Sequence, residues 1–284
     1  VGSGGAAAGR EWQLALPLAV FFAAFFAAPL AIMGAISLLS EADRSFVGAA
    51  NYATFFSDAL SRDSLVATLW LGAKTTLLCL LLGYPLAWLH SRCGRTAQSL
   101  ILFVVILPLL TSVVVRTFAW IVILGRQGIV NMTLIEMGFT TTPLRLLFTE
   151  GAVVVALAQI QLPLMVLPLM TSFAQIDPRV HEASISLGAS AWRSFLTVTL
   201  PLTLPGMIAG SMLVYAAAVT AFVTQTVVGG GRLIYMPLLI YQQAISLNNW
   251  PFAAVVSMAL LVTVLVLVGA FNLLGRASKA YAAV

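Results

Sequence analysis

A chain of 284 residues that is 61% hydrophobic and only 8% charged cannot cover a water-facing surface, since soluble domains carry about a quarter charged residues. The class is therefore integral membrane. The net charge of +5 does not signal nucleic acid, because the basic residues stand singly between apolar runs and form no patch interleaved with aromatics.

Apolar stretches of about 20 residues cross a bilayer as helices, and six are predicted here. A Gly/Ala/Ser-rich head opens an N-terminal tail, residues 1–12, and reads as a flexible segment. The first span, 13–39, follows Arg10. Its apolar run exceeds a signal-peptide core and lacks a small-x-small cleavage site, so it is read as a retained span. The second span is 65–89 and the third 99–124. The fourth is 151–173, the fifth 204–228 and the sixth 251–274. Together they make a transmembrane domain of residues 13–276, followed by a tail, 277–284.

Orientation follows from Lys and Arg in short loops. With both termini cytoplasmic, that side receives Arg10, Arg92, Arg95, Arg179, Arg193, Arg276 and Lys279, and the outer side Arg44, Arg62, Arg126, Arg145 and Arg232. The loop 91–97 and the tail 275–284 are short, basic and free of acids, which sharpens the bias.

Little in the sequence could perform catalysis. Cys79 and Cys93 form no CxxC, His90 and His181 are far apart, and no metal site is expected. Gly72-Ala73-Lys74-Thr75 lacks phosphate-loop spacing and lies in an apolar run. No catalytic residue and no cofactor is assigned to this chain. No span carries an acid in its central part, which argues against the ion-coupled secondary transporter that is the main rival from another class. A structural or assembly protein without transport is the other rival, and it has no need of the loop described next.

Residues 175–201, on the cytoplasmic side, differ from the other loops. Asp177 before Pro178 signals a helix start, since Asp caps free N–H groups and proline is tolerated at the first helical position. A short helix through His181, Glu182 and Ile185 to Leu187 should end at Gly188. Ser190 should cap a second helix, through Trp192, Phe195 and Val198, that Pro201 stops. The result is a compact elbow suited to a partner's groove. Glu182-Ala183-Ser184 with Gly188 and Ala189, and then Leu200-Pro201, resembles the EAA loop of type I ABC importer permeases; Ser184 replaces an alanine.

The likeness extends over most of the chain, from about Asn51 to Leu274, and points to the spermidine/putrescine permease subfamily. It includes Leu82-Gly83-Tyr84-Pro85-Leu86-Ala87-Trp88, Thr142-Pro143-Leu144-Arg145, Leu162-Pro163-Leu164-Met165-Val166-Leu167-Pro168-Leu169, Pro201-Leu202-Thr203-Leu204-Pro205-Gly206 and Asn249-Trp250-Pro251-Phe252. This resemblance implies an all-α integral membrane fold of six transmembrane helices, the type I ABC importer (MetI-like) permease fold with a cytoplasmic coupling helix. It implies a multi-pass protein of the bacterial inner membrane with a related but different second permease subunit, two ABC ATPase subunits that hold ATP and Mg, and a periplasmic solute-binding protein. His181, Glu182, Ala183, Ile185, Gly188 and Ala189 would contact the ATPase.

The fifth span is the candidate pathway. Gly206 and Gly210 have the GxxxG spacing of close helix packing. Tyr215, Phe222, Thr224, Gln225 and Thr226 follow, and then Gly229 to Gly231, which read as a turn. Arg116, deep in the third span, is a further pathway candidate, whereas Lys74 is read as snorkelling to the headgroups. The resemblance places an acidic gate residue where this chain has Thr226. A polyamine is the favoured cargo, and that substitution also admits an opine, an aminophosphonate or an amino acid-like solute.

Overall fold

The computed structural model describes residues 16–40 and 45–282, with the backbone alone at 178, 181, 182, 272 and 274–282. The tail 1–12, Arg10 and Arg44 lie outside the described residues. Twelve helices are named here: α1 (Leu16–Ile36), α2 (Ala50–Ser57), α3 (Ala59–Arg92), α4 (Arg95–Ile106), α5 (Val113–Leu124) and α6 (Ile129–Glu136). They continue as α7 (Glu150–Ala174), α8 (Pro178–Ser186), α9 (Ala191–Val219), α10 (Phe222–Gly229), α11 (Met236–Tyr241) and α12 (Trp250–Ala282). Among the described residues, six segments are long and apolar enough to cross a membrane: α1, α3, Val113–Glu136, α7, α9 and the Trp250–Phe271 part of α12.

The chain divides into two compact units, one of residues 1–62 with 239–261 and one of 63–238 with 262–284. In the first unit, the α1–α2 connection is tied by Asn51, whose amide donates to the carbonyls of Ser37 (3.0 Å) and Leu39 (2.8 Å). The Ser37 hydroxyl bonds the Tyr52 hydroxyl at 2.8 Å. Asp58 caps the start of α3, accepting from the Ser61 N–H (2.9 Å) and hydroxyl (2.6 Å). These bonds, the hydroxyl's first, hold the Asp58 carboxyl below its ordinary pKa, so the cap is intact at neutral pH and is lost only as pH falls below the usual carboxylate range.

The second unit is built around α7, the most buried span. Glycines set its spacing to its neighbours. A Cβ on Gly206 would stand 2.7 Å from the Pro168 carbonyl oxygen, and one on Gly210 would stand 2.8 Å from Met165 Sδ and 3.0 Å from the Met165 carbonyl oxygen. The GxxxG face of α9 therefore lies directly on the α7 backbone, the packing expected of small residues in a bilayer. Gly83 of α3 meets the side chains of Met165 and Val166, and Gly72 those of Tyr215 and Val219. Cys79, Met165, Val166, Leu169 and Val214 fill one cluster at these crossings, and Leu71, Val153, Leu157 and Val228 fill another.

Three predicted elements differ from the structure. The third span is interrupted: α4 passes into a 3-10 turn, Leu107–Leu110, with Pro108 in its first turn, and the chain is extended at Thr111 and Ser112 before α5. The stretch of spanning length is instead Val113–Glu136, with residues 125–128 between α5 and α6. Pro201 does not stop the helix capped by Ser190, because α9 runs on through it to Val219. A π-helical turn, Phe195–Thr199, precedes the proline, and the Leu200 N–H donates to the Phe195 carbonyl. That wider register accommodates a residue with no N–H of its own and a ring that clashes with the preceding turn. Finally, the fifth span does not continue to Val228. It ends at Val219, and α10 begins after a non-helical Ala221.

Candidate coupling loop and translocation site

The elbow between α7 and α9 is assembled from local bonds. Asp177 accepts from the Arg179 N–H at 2.9 Å with Pro178 at the first helical position, and Ser190 accepts from the Arg193 N–H at 3.3 Å. Gly188 sits at φ +83°, the left-handed region that ends a helix and that only glycine enters freely. Its N–H donates to the Ile185 carbonyl (2.8 Å), and that of Ala189 donates to the Ser184 carbonyl (3.1 Å). A hydroxyl–hydroxyl bond between Ser184 and Ser194 closes the hairpin across its two helices. Ala183 is exposed and Ala189 partly so, while Ile185 is 51% and Leu187 89% exposed, an apolar face turned away from this chain. The backbone of α8 includes His181 and Glu182; their side chains lie outside the described residues.

The hairpin is joined to the spans by aromatic rings that the sequence reading did not single out as functional. Trp192 stacks on Phe195 (5.6 Å between centroids), and Phe195 meets Tyr84 (5.9 Å) and Trp88 (6.1 Å) edge-on. Tyr84 in turn meets Phe173 of α7 (5.5 Å) and shares a hydroxyl bond with Thr203 of α9 (3.1 Å). The Arg92 guanidinium lies 4.9 Å over the Trp88 ring. Tyr84, Pro85, Trp88, Arg92, Trp192 and Phe195 line a cavity of about 550 Å³. The signal for this cluster was the i, i+4 pair Tyr84/Trp88 within a stretch already noted for its resemblance.

The pathway candidates fall into two groups. Tyr215 is buried on α9, its ring against Gly72 and its hydroxyl 3.5 Å from the Leu69 carbonyl. Phe222, Thr224, Gln225 and Thr226 lie on α10, beyond the break. The Gln225 amide donates to the carbonyls of Ala218 (2.8 Å) and Val219 (3.5 Å), so this side chain caps the free end of α9. In a membrane protein, non-helical backbone needs such partners, and it occurs where it is enclosed by protein or lines a cavity. Thr224 bonds Thr117 of α5 at 3.0 Å, anchoring α10. The Gln225 carbonyl oxygen, the Thr226 hydroxyl and two nitrogens of Arg116 are buried without a partner among the described residues, although Arg116 Nη2 donates to the Thr111 carbonyl at 3.3 Å. Replacing Gln225 with leucine should leave the Ala218 carbonyl with only the longer bond from the Ala221 N–H (3.4 Å) and take the side-chain donor from Val219, at a cost of about 1–3 kcal/mol. A lowered thermal midpoint of the purified protein is the expected result, and an unchanged midpoint would remove the capping role.

Two charged features lie nearby. Lys74, read from the sequence as snorkelling, has its ammonium paired with Glu150 in the first turn of α7 at 2.7 Å. Arg126, Arg145 and Arg232 converge on a cavity of about 270 Å³ walled by Leu124, Leu147 and Phe148. Buried Asn131 ties this region together, donating to the carbonyls of Gly125 (2.9 Å) and Leu144 (3.1 Å) and accepting from the Leu144 N–H (2.9 Å). Gly230 and Gly231, both at positive φ, form the turn before Arg232. Among the described residues, no group of three His, Cys, Asp or Glu side chains could hold a metal.

Residues 79–278 match the family described as the binding-protein-dependent transport system inner membrane component. The chain belongs to this family. It is a transmembrane permease subunit of an ABC importer, a multi-pass protein of the inner membrane and not an enzyme. It is 35% identical over 248 residues, 86% of each chain, to the spermidine/putrescine transport system permease protein PotB of Haemophilus influenzae. The PotB of Escherichia coli K12 is 36% identical over 79% of this chain and 82% of its own. In fold, the permease resembles a chain of a bacterial ABC transporter involved in the import of the acidic polysaccharide alginate, with a TM-score of 0.78 at 17% identity, covering 94% of this chain and 96% of that one. A second structure of the bacterial alginate transporter, in complex with an alginate pentasaccharide-bound periplasmic protein, matches with a TM-score of 0.72 at 18% identity, covering 94% and 95%. This membership places the permease with ATP-driven importers rather than with ion-coupled secondary transporters.

Proposed function

We propose that the permease is one half of a heterodimer, with both termini cytoplasmic, that sits on two ATPase subunits and receives its solute from a periplasmic binding protein. ATP and Mg belong to the ATPase subunits; this permease supplies only the coupling and the path. The observation that carries the proposal is the α8 hairpin, whose apolar face is exposed while its base is locked to the spans through Phe195 and Tyr84. ATPase closure would push α8 through Glu182, Ala183, Ile185 and Ala189, with Gly188 holding the bend. The aromatic contacts pass that push to α3, α7 and α9. The break at Ala221 gives α9 and α10 a joint at which the path could open to either side in turn.

A polyamine is the first choice of cargo, supported by the naming of the relatives that are 35–36% identical. A second reading, a solute with both an ammonium and an acidic group, such as an amino acid-like compound, opine or aminophosphonate, is favoured by the three arginines around one cavity. The complete importer in proteoliposomes should accumulate labelled spermidine only with ATP and binding protein. Accumulation of 2-aminoethylphosphonate or an opine in its place would select the second reading, and transport of none of these would overturn both.

A further inference from the structure

Glu150 and Lys74 stand 76 positions apart in sequence and meet at 2.7 Å, yet their side chains remain 41% and 47% exposed. Lys74 lies about 21 Å along α3 from Trp88 at 1.5 Å per residue, and its partner Glu150 stands in the first turn of α7. Neither charge tolerates hydrocarbon, so the open half of the pair faces water, headgroups or protein. A pair so exposed also contributes little to folding, which leaves its presence in a span unexplained by stability.

Its position supplies an explanation. The N–H of Phe148, two residues before Glu150, donates to the Val228 carbonyl of α10 at 3.2 Å, and Val153 borders Gly229. Glu150 therefore stands beside the C-terminal end of α10, the helix that carries Gln225 and Thr226. The Thr226 hydroxyl and Gln225 carbonyl of that helix are buried with no partner among the described residues.

We propose that Glu150 is the carboxylate that receives the ammonium group of the transported solute, and that Lys74 is a tethered ammonium holding its place between transport cycles. The exchange replaces one ammonium by another of the same charge, so Glu150 is never left unpaired. The flexible Lys74 stem can carry its charge to water when displaced. This rests on the proposal that the cargo bears an amine.

The test is uptake by the complete importer at saturating loaded binding protein, with spermidine and 2-aminoethylphosphonate as separate arms and permease amounts matched by immunoblot. Glu150→Gln should lower uptake about tenfold or more, the loss expected for one charge-assisted hydrogen bond, while binding-protein-stimulated ATPase activity persists. Glu150→Asp should recover part of the loss. Lys74→Met should lower uptake less than Glu150→Gln does, because it removes the placeholder but leaves the solute's charge-assisted contact in place. The double variant should remain as impaired as Glu150→Gln. A structural brace gives the opposite pattern: both single variants impaired alike and the double variant restored, which would overturn the proposal. Should Glu150→Gln fail to insert, Glu150→Asp and Lys74→Met decide by the same comparison. Loss on Glu150→Gln with 2-aminoethylphosphonate as the only cargo would support the site while ending the polyamine reading. Undiminished spermidine uptake would overturn the site and leave that reading standing.

Discussion

Leucine at Gly210 should leave almost no folded permease in the membrane. At this crossing even a methyl group would lie 2.8 Å from Met165 Sδ and 3.0 Å from a backbone oxygen of α7, and the oxygen cannot move without the helix. Alanine should cost about 1–3 kcal/mol by overpacking, and leucine more. α7 is the most buried span, so forcing α9 away also opens the cluster of Met165, Val166, Leu169 and Val214. The control is Gly151→Ala, because nothing lies within 4 Å of a Cβ at that position. Detergent-resistant folded protein should fall sharply for Gly210→Leu, partly for Gly210→Ala and not at all for Gly151→Ala. Equal recovery of all three would contradict the close α7–α9 approach.

Glu182→Ala should abolish coupling without affecting insertion. The residue stands on α8, one turn before the exposed Ile185 and Leu187, where the resemblance assigns it the polar contact with the ATPase. Losing one charge-assisted hydrogen bond at an interface weakens it about ten- to a hundredfold, and a hairpin that cannot be gripped transmits no motion. Uptake and binding-protein-stimulated ATP hydrolysis should fall together, while the amount of permease in the membrane stays constant. Normal transport-linked ATPase activity in this variant would remove Glu182 from the coupling role.

The elements legible in the sequence were those whose causes are local. Asp177, Pro178, Gly188 and Ser190 act within a few residues of themselves, so capping rules located the hairpin before its geometry was known. Gly206 and Gly210 announced a close crossing by spacing alone. The break at Thr220–Ala221 was hidden because no glycine or proline marks it; the helix can end there because the Thr220 hydroxyl, the Ala221 N–H and the Gln225 amide together satisfy its last carbonyls. Pro201 was misread because a π turn upstream absorbs its missing bond. The Lys74–Glu150 pair could not be read from one stretch of sequence, since its members meet only after α3 and α7 pack. The Tyr84–Phe195 contact was missed for the same reason.

The most direct measurement of the central claim is a cross-link from the hairpin to the ATPase. The sequence has two cysteines, Cys79 and Cys93, so Ala189→Cys can be placed in a Cys79→Ala, Cys93→Ala background. In the assembled importer a short bifunctional thiol reagent should join position 189 to an engineered cysteine on the ATPase surface, with a yield that changes between ATP-bound and nucleotide-free states. A matched cysteine at Arg145, on the opposite side of the membrane in the proposed orientation, should give no such product. Cross-linking from Arg145 but not from Ala189, or a yield indifferent to nucleotide, would contradict the account.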